Sequence, residues 1–179
     1  MKKDRAEVIM AGSGGQGLVV SGMMLAEAAI LEEKNVVQTV SYGIASRGGF
    51  SMAEVIIDKE EIVFQQVQQA DVVLILTEEA MEKLYAMADQ GTSIFYDTTL
   101  LKNRKDERFY GQPFTELAAE LGHAGTANVI ALGYIAQITG LIKIESLAEV
   151  IRSRFSGKVQ NLNLKALQKG VDLATGNPA

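Results

Sequence analysis

Ala11-Gly12-Ser13-Gly14-Gly15-Gln16-Gly17 stands between two kinds of apolar pattern, and its reading decides the fold. Before it, Val8-Ile9-Met10-Ala11 is a short apolar run suited to a buried strand. After it, apolar side chains recur at Leu18, Met23, Ala26 and Ile30, a helical spacing. Gly12, Gly14 and Gly17 therefore form G-x-G-x-x-G between a strand and a helix, the context that pattern requires. A Cβ at these positions would block the tight turn, hold a ligand off the backbone, or push the helix away from the sheet. Free N–H groups at the helix N-terminus then suit an anion. The same glycines are also explained by a sharp strand-to-helix turn with no ligand, and the pattern alone does not separate the two. If the turn is packed backbone, Gly14→Val is expected to disturb it through a glycine-only conformation.

Outward from the turn, a polar corner at residues 32–35 leads to Val36-Val37-Gln38-Thr39-Val40-Ser41, a strand by its β-branched content. Strand, helix and strand at this length predict a βαβ unit with parallel pairing and a right-handed crossover. A loop over residues 42–50, with three glycines and one cation, precedes an alternating strand over 51–58. Val72-Val73-Leu74-Ile75-Leu76 reads as the middle of a parallel sheet, and Thr77 predicts the cap of a helix reaching about Met87. Residues 92–96 make a further strand, and residues 109–113 a short edge strand that tolerates Pro113. Four helices are then predicted. The first is capped by Thr115 and ends at Gly122; the second is capped by Asn128 and stopped by Gly140. The capping box Ser146-Leu147-Ala148-Glu149 opens the third, and the fourth covers residues 164–174. The expected class is α/β: a Rossmann-like, mainly parallel sheet flanked by helices, with a helical C-terminal third, all in one domain over residues 1–179.

The whole chain narrows the partners. Its 179 residues are 47% hydrophobic, enough for a proper core, and the formal net charge of -5 with no basic run argues against a nucleic-acid surface. There is no cysteine, which excludes disulfides and cysteine-ligated zinc or iron–sulfur clusters within this chain. Met1-Lys2-Lys3 is followed at once by Asp4 and Glu7, so no signal peptide is read there. Residues 129–144 are apolar but short and interrupted by Gln137, Thr139 and Lys143, as in a core helix rather than a membrane span. A soluble, cytoplasmic protein is expected.

A dinucleotide fold of the NAD type wants a carboxylate at the end of the second strand, and Thr39-Val40-Ser41-Tyr42 offers none. Arg47 leaves a 2′-phosphate, and hence NADP, open. Ser46-Arg47-Gly48-Gly49 should lie at the same sheet edge as the glycine turn, where backbone N–H groups and a guanidinium can approach one anion together. Tyr42 and Phe50 flank it, and aromatics with arginine equally mark an interface core. His123, Asp97 and Asn128 are read mainly as loop, turn and cap residues, and the methionines as core filler. No triad, metal-ligand cluster, Walker lysine or carboxylate pair appears, so a self-sufficient active site is missing.

Taken together, Gly12-Ser13-Gly14-Gly15-Gln16-Gly17, Ser41-Tyr42-Gly43-Ile44-Ala45-Ser46-Arg47-Gly48-Gly49-Phe50-Ser51 and Ala53-Glu54-Val55-Ile56-Ile57-Asp58 resemble the γ subunit of 2-oxoacid:ferredoxin oxidoreductases. Asn128-Val129-Ile130-Ala131-Leu132-Gly133 is similar to a further stretch of that family. The resemblance implies oxidative decarboxylation of a 2-oxoacid with coenzyme A to acyl-CoA, carbon dioxide and reduced ferredoxin, with a lean towards 2-oxoglutarate. It implies α and β partner subunits holding thiamine diphosphate, and cysteine-bearing, ferredoxin-like δ partners holding iron–sulfur clusters. It implies no cofactor or metal bound by this chain alone, no nucleic acid and no membrane. Gly12, Gly14, Gly15, Gly17, Arg47, Gly48 and Gly49 match the family pattern. With Gln16, Tyr42, Ser46 and Asn128 they are the candidates for cofactor binding or a subunit interface, and no catalytic residue is assigned. An inactive isolated chain is expected, with a homodimer open to it. The rival readings are a free-standing NADP- or flavin-linked reductase and a non-catalytic assembly module.

Overall fold

The computed structural model describes residues 4–43, 48–86, 88–104 and 107–176. In chain order it runs β1 (Arg5–Ser13), α1 (Leu18–Leu31), β2 (Asn35–Tyr42), β3 (Phe50–Asp58), β4 (Val72–Ile75), α2 (Glu78–Tyr85), β5 (Ser93–Asp97), β6 (Phe109–Gln112), α3 (Phe114–Glu120), α4 (Ala127–Thr139), α5 (Ile144–Arg154) and α6 (Gly157–Thr175). The strands form one sheet in the order β2-β3-β1-β4-β5-β6. β1, β4, β5 and β6 pair in parallel, while β3 runs against both β1 and β2. The α/β class, the mainly parallel sheet and the helical last third are therefore as the sequence predicts.

The predicted parallel pairing of β1 with β2 is not formed. β3 lies between them, in nine-residue register with β1 from Arg5 opposite Asp58 to Ser13 opposite Phe50. The physical reason is the connection that follows β2. Residues 43–49 are too few for a crossover, so β3 must return antiparallel beside β2. Its alternation of Ala53, Val55 and Ile57 then fits β1 better than an edge could use, and β2 is displaced to the rim.

The period of two along each strand sorts the core into two faces. Val8, Met10, Val72, Leu74 and Phe95 meet α1 and the C-terminal helices, whereas Ile9, Ala11, Val73, Ile75 and Ile94 meet Met81 and Leu84 of α2. α4 is apolar around its circumference and buried from Asn128 to Ala136, as befits a helix enclosed on all sides. Among the described residues no helix is long and apolar enough to cross a membrane.

Several helix starts differ from expectation. Thr77 does cap α2, accepting from Ala80 N–H at 3.2 Å, though that helix ends at Tyr85. α3 begins at Phe114, and the Thr115 hydroxyl donates instead to Asp97 at 2.6 Å. α4 is entered through Thr126, so Asn128 sits inside the helix rather than capping it. Gly140 does stop α4, with φ 63°. α6 starts at Gly157, well before residue 164, because its first turns lean on the end of α5 through Gln160, whose amide donates to Phe155 and Arg152 carbonyls at 2.8 and 2.9 Å. The capping box at Ser146 is not formed either. α5 opens at Ile144, and its N-terminus is completed from outside by Glu32 at the end of α1. One Glu32 oxygen accepts from Lys143 N–H at 2.7 Å and Ser146 Oγ at 2.9 Å, and the other from Lys34 Nζ at 2.9 Å. A carboxylate from a distant helix thus supplies what a local cap would have supplied.

Burial works against the Glu32 charge, but the Lys143 N–H, Lys34 and Ser146 together hold its carboxyl below the usual carboxylate range. A depressed folded-state pKa adds stability above the unfolded value, and that stability is lost as pH falls through the folded one. Wild type should therefore lose more stability than Glu32→Gln between neutral and strongly acidic pH, measured by urea titration at each pH.

A second expectation concerns the α4–α6 contact. A Cβ on Gly170 would collide with the Ile130 carbonyl oxygen and lie 2.7 Å from Tyr134 N, both backbone. Alanine would gain up to about 1 kcal/mol in helix propensity, so a net loss isolates the clash. Gly170→Ala should destabilise by about 3 kcal/mol, the upper end for overpacking, and a neutral result in denaturant titration would contradict the close approach.

Candidate functional site at the glycine turn

β1 delivers the chain to Ser13, and α1 leaves it at Leu18 with Gly17 as N-cap. Gly15 and Gly17 hold φ of 97° and 74°, the left-handed region that a side chain avoids. Gly14 has no such need. A Cβ there would stand 3.7 Å from Gly48 N and 3.8 Å from Gly49 O, ordinary contact distances. The expectation that Gly14→Val fails through a glycine-only conformation is corrected accordingly, because the constrained positions are its neighbours.

Three of the turn's N–H groups donate within its own chain. Ser13 N–H donates to the Gln16 side-chain oxygen at 2.7 Å, Gly14 N–H to Gly49 O at 2.8 Å, and Gln16 N–H to Ser13 O at 3.3 Å. The Gln16 amide nitrogen donates to Leu76 O at 3.2 Å. Leu76 follows β4, and α1 and α2 leave β1 and β4 towards opposite faces, so this is the crevice where an open α/β sheet binds ligands. Gln16 spans it. A Cβ on Gly12 would collide with the same amide oxygen, so the space that glycine leaves is already filled from within.

Of the predicted residues, the structure brings Gly14 together with Gly48 and Gly49, Gly12 with Gln16, and Gly17 with Asn128. Gly43 N–H donates to Phe50 O at 2.7 Å and closes the hairpin stem below the loop. Asn128 is buried, donating from its amide to Gly17 O at 3.1 Å and accepting from Val129 N–H at 3.0 Å. It ties α4 to the turn and satisfies a first-turn donor. Tyr42 is not part of the cluster; it ends β2 at the rim of the sheet and is 71% exposed. Ser46 and Arg47 lie outside the described residues.

The lesser candidates are structural. Asp97 is fully buried and accepts from Thr99 N–H, Thr115 N–H and the Thr115 hydroxyl. His123 is exposed and its Nδ1 accepts from Gly125 N–H at 3.0 Å. Among the described residues no group of three His, Cys, Asp or Glu could hold a metal ion. Sequence reasoning placed Gln16 in the site by neighbourhood alone. The signal for its role was one long amide in a turn otherwise built of small residues. Lys83, whose Nζ stands 4.1 Å from the centre of the Phe50 ring beside the loop, was missed altogether.

These features define an α/β domain whose glycine turn is folded onto a neighbouring loop. The chain matches the family described as pyruvate ferredoxin/flavodoxin oxidoreductase over residues 7–173, and it belongs to that family. It is similar to the 2-oxoglutarate synthase subunit KorC of Archaeoglobus fulgidus, 40% identical over 92% of this chain and 85% of that protein. The keto/oxoacid ferredoxin oxidoreductase γ subunit of Geobacter sulfurreducens superposes with a TM-score of 0.82 at 33% identity, covering 96% of this chain and 99% of that one. A 2-oxoglutarate:ferredoxin oxidoreductase of Magnetococcus marinus, solved with 2-oxoglutarate, coenzyme A and succinyl-CoA bound, superposes with a TM-score of 0.88 at 27% identity. The present chain spans 32% of that longer one. It is a γ-type subunit of a multi-subunit oxidoreductase, with partner subunits, and not a free-standing reductase.

Gln16→Ala strips the acceptor from the buried side of the turn and should cost about 1–3 kcal/mol, the penalty for leaving a donor unpaired. Thermal unfolding of the two proteins side by side measures it.

Proposed function

We propose that this chain is the γ subunit of a 2-oxoglutarate:ferredoxin oxidoreductase, working in the cytoplasm. The complex decarboxylates a 2-oxoacid oxidatively with coenzyme A, giving acyl-CoA, carbon dioxide and reduced ferredoxin. The observation that carries the reading is the 40% identity to a 2-oxoglutarate synthase subunit across nearly the whole of both chains. The lack of cysteine leaves iron–sulfur clusters to ferredoxin-like δ chains. Thiamine diphosphate, bound by the α and β subunits, supplies the electron sink for decarboxylation.

What this chain adds is a surface. Residues 1–179 are read as one domain of the family type, presenting Gly14 and Gly15 to the outside. Gly14 lacks a Cβ that the fold itself would accept, so its bareness is explained by something approaching from beyond the chain. That visitor is a partner's backbone or a phosphate of coenzyme A, with Gly48 and Gly49 beside it; of the residues in the family-like stretch, Ser46 and Arg47 are proposed to meet it, Arg47 for its charge. The crevice at Leu76 is not part of this surface, because Gln16 fills it. This internal plug is also the argument against an NADP- or flavin-binding role.

The test is reconstitution with the partner subunits. Isolated chain should be colourless and inactive with 2-oxoglutarate. Gly14→Ala and Arg47→Ala should melt within about 0.5 kcal/mol of wild type, yet both should lower 2-oxoglutarate-dependent viologen reduction or weaken assembly, Arg47→Ala by roughly 2–5 kcal/mol of binding. Variants that assemble and turn over like wild type would reduce both residues to bystanders. Turnover with pyruvate but not 2-oxoglutarate would overturn the substrate assignment alone.

A further inference from the structure

β2 is an open edge eight residues long, Asn35-Val36-Val37-Gln38-Thr39-Val40-Ser41-Tyr42, and it carries no charge and no proline. Edge strands are ordinarily blunted by such residues, because their outward N–H and C=O groups invite another strand. Above it lies α1, whose only charged residue, Glu27, is held by Arg154 of the same chain. Val19, Met23, Ala26 and Ile30 recur at intervals of four, three and four, the spacing of a seam that packs against another helix. Among the described residues nothing covers it fully; Met23 is 38% and Ile30 61% exposed.

The position of α1 is informative. A Cβ on Gly22 would stand 2.6 Å from the Gln38 amide on β2 and 3.4 Å from Ala53 Cβ on β3, so the helix straddles those two strands. Gln38 donates to Val19 O at 3.1 Å, which sets Val36, Gln38, Val40 and Tyr42 on the helix side of the strand.

We propose that β2 and α1 form a two-fold interface with a second copy of this chain, joining two six-stranded sheets into one. An antiparallel neighbour about 4.8 Å away would place the two α1 axes, each centred between its own β2 and β3, roughly 10 Å apart. That is the spacing of packed helices. A two-fold perpendicular to the sheet keeps matching faces together, so only residues of equal parity can stand opposite. Centred on Thr39, it sets Val36 opposite Tyr42 and Gln38 opposite Val40, while the Met23 seams meet above. A second copy suits this face because it brings the same uncharged edge and the same apolar seam at the distance both require. The inference is independent of the substrate assignment and of the glycine turn.

Sedimentation equilibrium of the purified full chain should give a dimer. Val40→Lys and Met23→Lys, both at exposed positions, should raise the dissociation constant at least about tenfold each, some 1.4 kcal/mol, with unchanged far-ultraviolet circular dichroism. Should either variant misfold, hydrogen exchange of wild type decides. Amides of β2 should be protected at high protein concentration and exchange faster on dilution. A wild-type monomer, a dimer that both folded variants retain, or β2 protection that appears only when the partner subunits are added would each overturn the proposal, the last assigning the edge to another chain.

Discussion

The antiparallel ladder between β1 and β3 is the constraint on which the remaining structure hangs. Nine residues in register leave no freedom to slide, since a shift by one would turn Val55 and Ile57 away from the helical core. With β3 fixed, its N-terminal end must arrive beside the end of β1. The loop that enters β3 is therefore laid against the glycine turn, and the Gly14 to Gly49 hydrogen bond follows. With β3 between them, β2 becomes a rim strand, and α1 has two strands beneath it. The site and the outer surface of α1 are both consequences of one strand's placement.

A glycine turn of this spacing normally exists to offer N–H groups to a pyrophosphate. Here the Ser13 and Gly14 N–H groups are taken by Gln16 and Gly49, and the helix end is braced by Asn128 through the Gly17 carbonyl. The same spacing that makes a cradle in one protein makes a braced platform here, where the Gln16 amide crosses from the turn to Leu76. Two left-handed glycines keep that platform's shape, while Gly14 keeps its surface bare.

How much of this was legible depends on the range of the interaction. The strands read at 8–11, 72–76 and 92–96, the cap at Thr77 and the stop at Gly140 follow from local pattern, and each formed with its ends within a few residues of the reading. β3's insertion was hidden because pairing partners are chosen by the whole sheet, and a strand–helix–strand run reads alike whether or not a third strand comes between. Thr115, Asn128 and Ser146 each sit in a plausible capping context, yet each is claimed by a residue far away: Asp97, Gly17 and Glu32. Polar side chains near helix starts serve whichever partner burial brings to them, and that partner is invisible to local reading. The glycine cluster was found by its composition; the direction in which its donors point was not.

The Glu32 cap on α5 has a bearing on how the chain comes into being. Glu32 and its donor partner, the Lys143 N–H, are 111 residues apart, and α4, α5 and α6 are what roof the buried side of α1 and the sheet. During synthesis at roughly 5–20 residues per second, α1 and the finished β-sheet wait several seconds for that roof. Throughout that interval an almost uncharged helix and a row of bare aliphatic side chains face solvent or the ribosome surface. The burden on chaperones should therefore be greatest when about two thirds of the chain has emerged, and it should end with the arrival of the C-terminal helices.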